Sequence, residues 1–121
     1  MILADTSVWI AHLRHDRADL RSLLDAGVIH CHELVIGELA CGTLRRRTEI
    51  LARLGRLPTV PVVSHAEAFE FLHARRLSGR GLGWIDVHLL ASSVLAGARL
   101  WSLDVRLAAA ADGLHIRLNR A

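Results

Sequence analysis

The feature that most constrains this chain is a repeated alternation: short apolar runs, each followed by a longer amphipathic stretch. The runs are Met1 to Ala4, Val28 to Cys31, Val60 to Val63, Arg99 to Leu103 and His115 to Leu118. Each has the length of a strand, and Met1 to Ala4 reads as a buried one. Cap and periodicity signals predict the helices between them. These are Ser7 to Arg14 (capped by Thr6 or Ser7), Arg17 to Ala26 (ending at Gly27), Glu33 to Cys41 and Thr43 to Arg56. A further helix follows Ser64 to about Leu77, another opens at Trp84 or Ile85 and ends near Gly97, and a short Ala-rich one starts at Asp104. Strands alternating with helices predict an α/β fold with a five-stranded parallel sheet, covered on both faces by right-handed crossovers.

Residues 1–121 read as a single domain, a common size for one core. With 52% hydrophobic and 22% charged residues, a packed core is expected and disorder is not. No linker, repeat or low-complexity segment divides the chain. The net charge is +3, and every one of the 15 basic residues is Arg. Guanidinium groups suit phosphate, but so modest a charge only permits nucleic acid as a partner. Cys31 and Cys41 form no CxxC and read as reduced, buried thiols. The start lacks a basic leader region and is interrupted by Asp5. The longest mostly apolar stretch, Leu89 to Ala98, is too short to span a bilayer. A soluble, cytoplasmic protein is expected, with no membrane association.

In parallel α/β sheets, ligands bind beyond the carboxyl ends of the strands, so acids placed there carry the most information. Asp5 directly follows the first apolar run and Asp104 the fourth, although Asp also serves well as a helix N-cap. Glu38 has Leu34, Val35 and Cys41 as its helical neighbours, an apolar face on which a carboxylate implies burial or a partner. Asp86 sits in the first turn of its helix, beside Leu89 and Leu90. The other acids, among them Asp16, Asp19, Asp25 and Asp112, read as solvated. Four converging carboxylates repel one another and need a compensating cation, and an oxygen-only set suits Mg²⁺ or Mn²⁺ rather than Zn²⁺.

The segments around these acids resemble the PIN-domain ribonucleases. They are Asp5-Thr6-Ser7-Val8-Trp9-Ile10, Val35-Ile36-Gly37-Glu38-Leu39, Gly83-Trp84-Ile85-Asp86-Val87-His88-Leu89-Leu90-Ala91 and Leu100-Trp101-Ser102-Leu103-Asp104-Val105-Arg106-Leu107. They stand in family order and span nearly the whole chain, and the opening resembles VapC-type toxins in particular. The resemblance implies a three-layer PIN-like fold, cleavage of RNA with Mg²⁺ or Mn²⁺, a homodimer, and a cognate VapB-type antitoxin. Ser102 stands where the family often has Thr. In the implied site Asp5, Asp86 and Asp104 hold metal, and Glu38 positions or deprotonates the attacking water. Ser7 and Ser102 donate hydrogen bonds behind the acids, and Arg80 and Arg106 hold flanking phosphates.

Other readings are weaker. His30, Cys31, His32 and Cys41 lack the spacing of a zinc site. Gly79, Gly81 and Gly83 are not followed by the Gly-Lys-Ser/Thr of a phosphate loop. No strand carries the stacked aromatics of a base-binding sheet. A phosphorelay receiver relies on a Lys near its phosphoacceptor, and the chain has none. The remaining rival is a catalytically inactive PIN-like module that binds RNA or protein.

Overall fold

The computed structural model describes residues 1–119. The chain runs β1 (Ile2–Ala4), α1 (Thr6–His15), α2 (Ala18–Asp25), β2 (Ile29–His30), α3 (Glu33–Cys41) and α4 (Arg47–Leu54), then α5 (His65–Ala74), α6 (Trp84–Ala96), β3 (Arg99–Trp101) and α7 (Val105–Gly113). Strand β1 lies at the centre of a parallel sheet of order β2-β1-β3, with Leu3 opposite His30 on one side and Leu100 on the other. Helices flank this sheet. Leu3, Ala4, Val8, Val35, Leu90, Leu100 and Trp101 form its buried interior. Helix α6 is the most enclosed helix, buried without a break from Val87 to Ser93. Its outer side meets α5 through a small cluster of Val63, Ala68, Val87 and Ala91.

The sheet corrects one expectation: among the described residues it has three strands, not five. The expected fifth strand makes a single parallel bridge, Arg117 to Leu100, and the only bridge near the expected third falls one residue ahead of it, Thr59 to Cys31, among the described residues. Both extend the sheet in the expected directions, but their partners leave too soon. Cys31 donates its amide to Pro58 O and accepts that of Val60, and then α3 begins at Glu33. At the other edge, His115 has a left-handed φ of 60°, so extended backbone starts only at Ile116. Leu100 bonds Ile116 and Leu118, and its own chain turns into α7 soon afterwards.

The helix termini follow their side chains. Ser64 and Glu67 form a reciprocal capping box for α5, and Gly97, at a φ of +68°, ends α6. Helix α4 is shorter than expected because Arg46 adopts a left-handed φ of 55° just before it. His32 caps α3: its Nδ1 accepts the Leu34 amide at 3.0 Å. That fixes Nε2 as the protonated nitrogen, which donates to Ser92 Oγ of α6 at 3.1 Å. The histidine thus serves packing rather than metal. Cys31 is buried as expected, whereas Cys41 is exposed. No helix is long and apolar enough to cross a membrane, among the described residues.

Candidate active site

Asp5 begins where β1 ends, its amide still bonded to Trp101 O at 3.0 Å. It was expected just ahead of a helix capped by Thr6 or Ser7, but Asp5 itself is the cap. Its Oδ1 accepts the Val8 amide at 3.1 Å and the Ser7 hydroxyl at 2.5 Å, and its Oδ2 accepts the Ser102 hydroxyl at 2.5 Å. The two serines also stitch the ends of β1 and β3 together. Ser7 Oγ accepts the Leu103 amide at 2.9 Å, and Ser102 Oγ accepts the Asp104 amide at 3.0 Å. Asp5 is 4% exposed, and burial pushes its carboxyl above the ordinary range. The hydrogen bonds from Ser102, Ser7 and Val8 pull against that, and the charge of Asp104 adds to it.

Asp104 caps α7, with Oδ1 accepting the amides of Arg106 at 2.9 Å and Leu107 at 3.0 Å, and the residue is exposed. Asp86 bends back from α6 to accept the Gly83 amide at 2.9 Å. Burial raises the Asp86 carboxyl, the Gly83 amide opposes that, and the charges of Asp104, Asp5 and Glu38 raise it further. One half-buried carboxyl therefore senses the other three acids. Glu38 departs from expectation in being exposed. It lies at the margin of the α3 stripe of Val35 and Leu39 rather than beneath it, and its partner is the Thr6 hydroxyl, 2.6 Å from Oε1. Thr6 was not singled out as a site residue. Its one visible signal is its position between Asp5 and Ser7 on the first turn of α1.

The all-oxygen donor set suits a hard divalent cation, and the mutual repulsion felt at Asp86 is what such a cation would relieve. As the side chains stand, no three acids, histidines or cysteines among the described residues are gathered closely enough to hold a metal ion. Arg106 is exposed and lies across Gly81, where a Cβ would come within 2.7 Å of its Cδ. Arg80 is exposed in the same glycine loop. Neither guanidinium bonds one of the four acids among the described residues.

This geometry has close kin. Residues 2–113 match the family model of the PIN domain. The chain belongs to the PIN-domain family. Within that family its kinship is to the VapC type. It is 50% identical over 111 residues to Ribonuclease VapC32 of Mycobacterium tuberculosis, covering 91% of this chain and 90% of the relative, in both the CDC 1551 and the H37Rv strains. Two solved structures share the fold at lower identity. The FitAcB structure from Neisseria gonorrhoeae aligns with a TM-score of 0.64 and 19% identity over 93% of this chain and 94% of that one. A toxin–antitoxin complex from Klebsiella pneumoniae aligns with a TM-score of 0.63 and 19% identity over 86% and 87%.

Proposed function

We propose that this PIN domain is the toxin of a type II toxin–antitoxin pair, a cytoplasmic endoribonuclease that hydrolyses RNA phosphodiester bonds with Mg²⁺ or Mn²⁺. The observation that carries this reading is the joining of Asp5 and Asp104 through the Ser102 hydroxyl at neighbouring strand ends, with the Asp86 carboxyl close enough to be raised by both charges and by Glu38. The kinship with a named ribonuclease supports it.

Asp5, Asp86 and Asp104 would hold the cation, which when bound supplies positive charge to a phosphoryl oxygen and to an attacking water. Ser7 and Ser102 fix the Asp5 carboxylate so that both its oxygens keep a set direction. Glu38 stands in solvent, where its carboxylate can take the proton of the attacking water, and Thr6 orients it. Arg106, draped over Gly81, is the candidate to grip a flanking phosphate, with Arg80 beside it. Attack by water leaves a 5′-phosphate and a 3′-hydroxyl. The test is cleavage of RNA by the purified protein with Mg²⁺ or Mn²⁺, with mapping of the new ends. Products ending in 2′,3′-cyclic phosphate would overturn the mechanism, because those arise from the RNA's own 2′-hydroxyl.

One observation favours the rival reading of an inactive binding module. Asp5, Asp104 and Asp86 all have structural work as helix-start acids. Asn fills such positions nearly as well. Purified protein that binds RNA but cuts none with either metal would therefore leave the acids only these structural roles.

Two partners complete the proposal. An apolar groove of about 210 Å³ between α1, α2 and α4, lined by Trp9, Leu13, Leu24, Ile50 and Leu57, would take an apolar antitoxin segment. Val62, Phe69 and Trp84 are exposed beside the α5–α6 pair, which supports a homodimer. Light scattering at tens of micromolar should find two chains, and a monomer there counts against the dimer.

A further inference from the structure

A cavity of about 390 Å³ opens beside the acids, and of the groups lining it the reading above uses only Ser102. Its volume falls within the range of small-ligand pockets, ~300–1,000 Å³. Helix α7 contributes one stripe, Val105, Ala108 and Asp112. The end of β3 contributes Ser102 and Leu103, and Arg117 closes the far side. Val105 is 83% exposed although it directly follows Asp104, and Leu103 on the other side of that acid is exposed as well. Apolar side chains left bare next to a cluster of carboxylates offer contact to something flat.

The polar pair narrows what that is. Asp112 and Arg117 share the cavity, yet neither side chain has a hydrogen bond or ion pair among the described residues, not even with each other. A phosphate would suit Arg117 but be repelled by Asp112. A cation would suit Asp112 but be repelled by Arg117. A purely apolar group would satisfy neither. A neutral, planar group bearing both donors and acceptors satisfies both, and an RNA nucleobase is such a group.

We propose that this cavity receives a nucleobase flanking the scissile phosphate and selects guanine. The proposal rests on the ribonuclease reading above. Guanine is the base that offers a carboxylate two adjacent donors, N1–H and the 2-amino group, while O6 and N7 accept from a guanidinium. Adenine, cytosine and uracil each offer Asp112 a single donor group. Val105 and Leu103 supply the apolar contact to the ring. Ser102, whose hydroxyl also binds Asp5, places the base next to the bond that is cut. Single-stranded RNA presents these edges unpaired.

The test uses the purified full chain with Mn²⁺ and a pool of single-stranded RNA of random sequence, with cut positions read by sequencing. Guanine should be enriched at one fixed position relative to the cut. In a defined RNA, replacing that guanosine by inosine removes the 2-amino group and should lower kcat/KM about tenfold. Asp112→Asn should lower kcat/KM on the guanosine RNA by a similar factor and add little further loss on the inosine RNA. Arg117→Gln should abolish sensitivity to 7-deazaguanosine, which lacks N7. Asp25→Asn, exposed on α2 and outside the cavity lining, should leave cleavage of either RNA unchanged. RNA cut with no fixed guanine, or guanine selection that survives both substitutions, overturns the subsite and leaves the ribonuclease reading standing. Failure to cut any RNA with either metal overturns the ribonuclease reading and the subsite with it.

Discussion

Asp5 and Glu38 both act on the Asp86 carboxyl but are held in opposite ways. Asp5 is buried at a strand end and takes hydrogen bonds from two hydroxyls and an amide, and both hydroxyls are themselves bonded to the neighbouring loop. Glu38 stands in solvent on α3, held by the single hydroxyl of Thr6. The difference lies in the backbone. Adjacent parallel strands deliver Asp5 and Ser102 to one place through the β1–β3 register, with Ala4 opposite Trp101. Glu38 arrives on a helix whose position depends on its packing and on the His32 cap at its start. A rigid acid suits a group that must hold a metal in fixed geometry. A solvated, less constrained one suits a group that must meet water and take its proton.

This contrast can be broken or sharpened by substitution, beginning with the largest expected effect. Asp5→Asn keeps the cap but removes the charge, and should lower RNA cleavage by more than about 100-fold while the protein stays folded. Near wild-type kcat/KM would reduce Asp5 to a capping residue. Ser102→Ala should cost about 10- to 100-fold, since it frees one oxygen of the rigid acid. Thr6→Val should cost less, because solvent can replace a hydroxyl at the exposed Glu38. If the Thr6 variant proves the worse of the two on the same RNA, the contrast between rigid and solvated acids is wrong.

A further expectation concerns stability. The Asp86 carboxyl is raised in the folded protein above its ordinary 3.8. The folded state therefore favours its neutral form, and a favourable contribution present at low pH is lost as pH rises through the folded value. At pH 7 in EDTA, Asp86→Asn should melt higher than wild type by roughly 3 °C, and the gain should vanish below pH 3.8. Mg²⁺ should stabilise wild type more than the variant, because only binding to the folded state raises stability. Asp25→Asn, at an exposed position, serves as the control and should change neither.

The smallest effect is expected at His32, which anchors the helix bearing Glu38. Burial pushes its imidazole below the ordinary 6.5, with Glu33 pulling the other way and His88 adding to the shift. Protonation also removes the acceptor used by the Leu34 amide. Its stabilising contribution is therefore present above pH 6.5 and lost as pH falls towards the folded value. Denaturant melts at pH 5 and pH 7.5 should differ less for His32→Gln than for wild type. An unchanged difference would show that other histidines carry the acid sensitivity.

Much of the candidate site was legible because its acids sit at positions that pattern alone can read. An apolar run ending in Asp-Thr-Ser, and another ending in Ser-Leu-Asp, mark carboxyl ends of strands whatever the details of packing. The exposure of Glu38 was not legible, since Leu34, Val35 and Cys41 surround it in sequence whether it lies under the apolar stripe or at its edge. Nor was the place of Asp112 beside Arg117 and the bare flank of Val105 in one cavity, since in sequence it reads as one more solvated acid.

The sequence by itself determined the alternation of strand and helix, most helix ends, and the four acids with their order along the chain. These depend on spacing, caps and local hydrophobicity, which act over a few residues. Only the tertiary structure decided how far each strand would pair. The third and fifth runs are apolar enough to extend, but a ladder needs two chains, and their partners turn away at Glu33 and after Ser102. The same holds for the field at Asp86. Its carboxyl is raised partly by charges 81, 48 and 18 residues away along the chain, brought near only when β1, β3, α3 and α6 pack together. Electrostatic interaction depends on distance through space, and no local signal in the sequence encodes it.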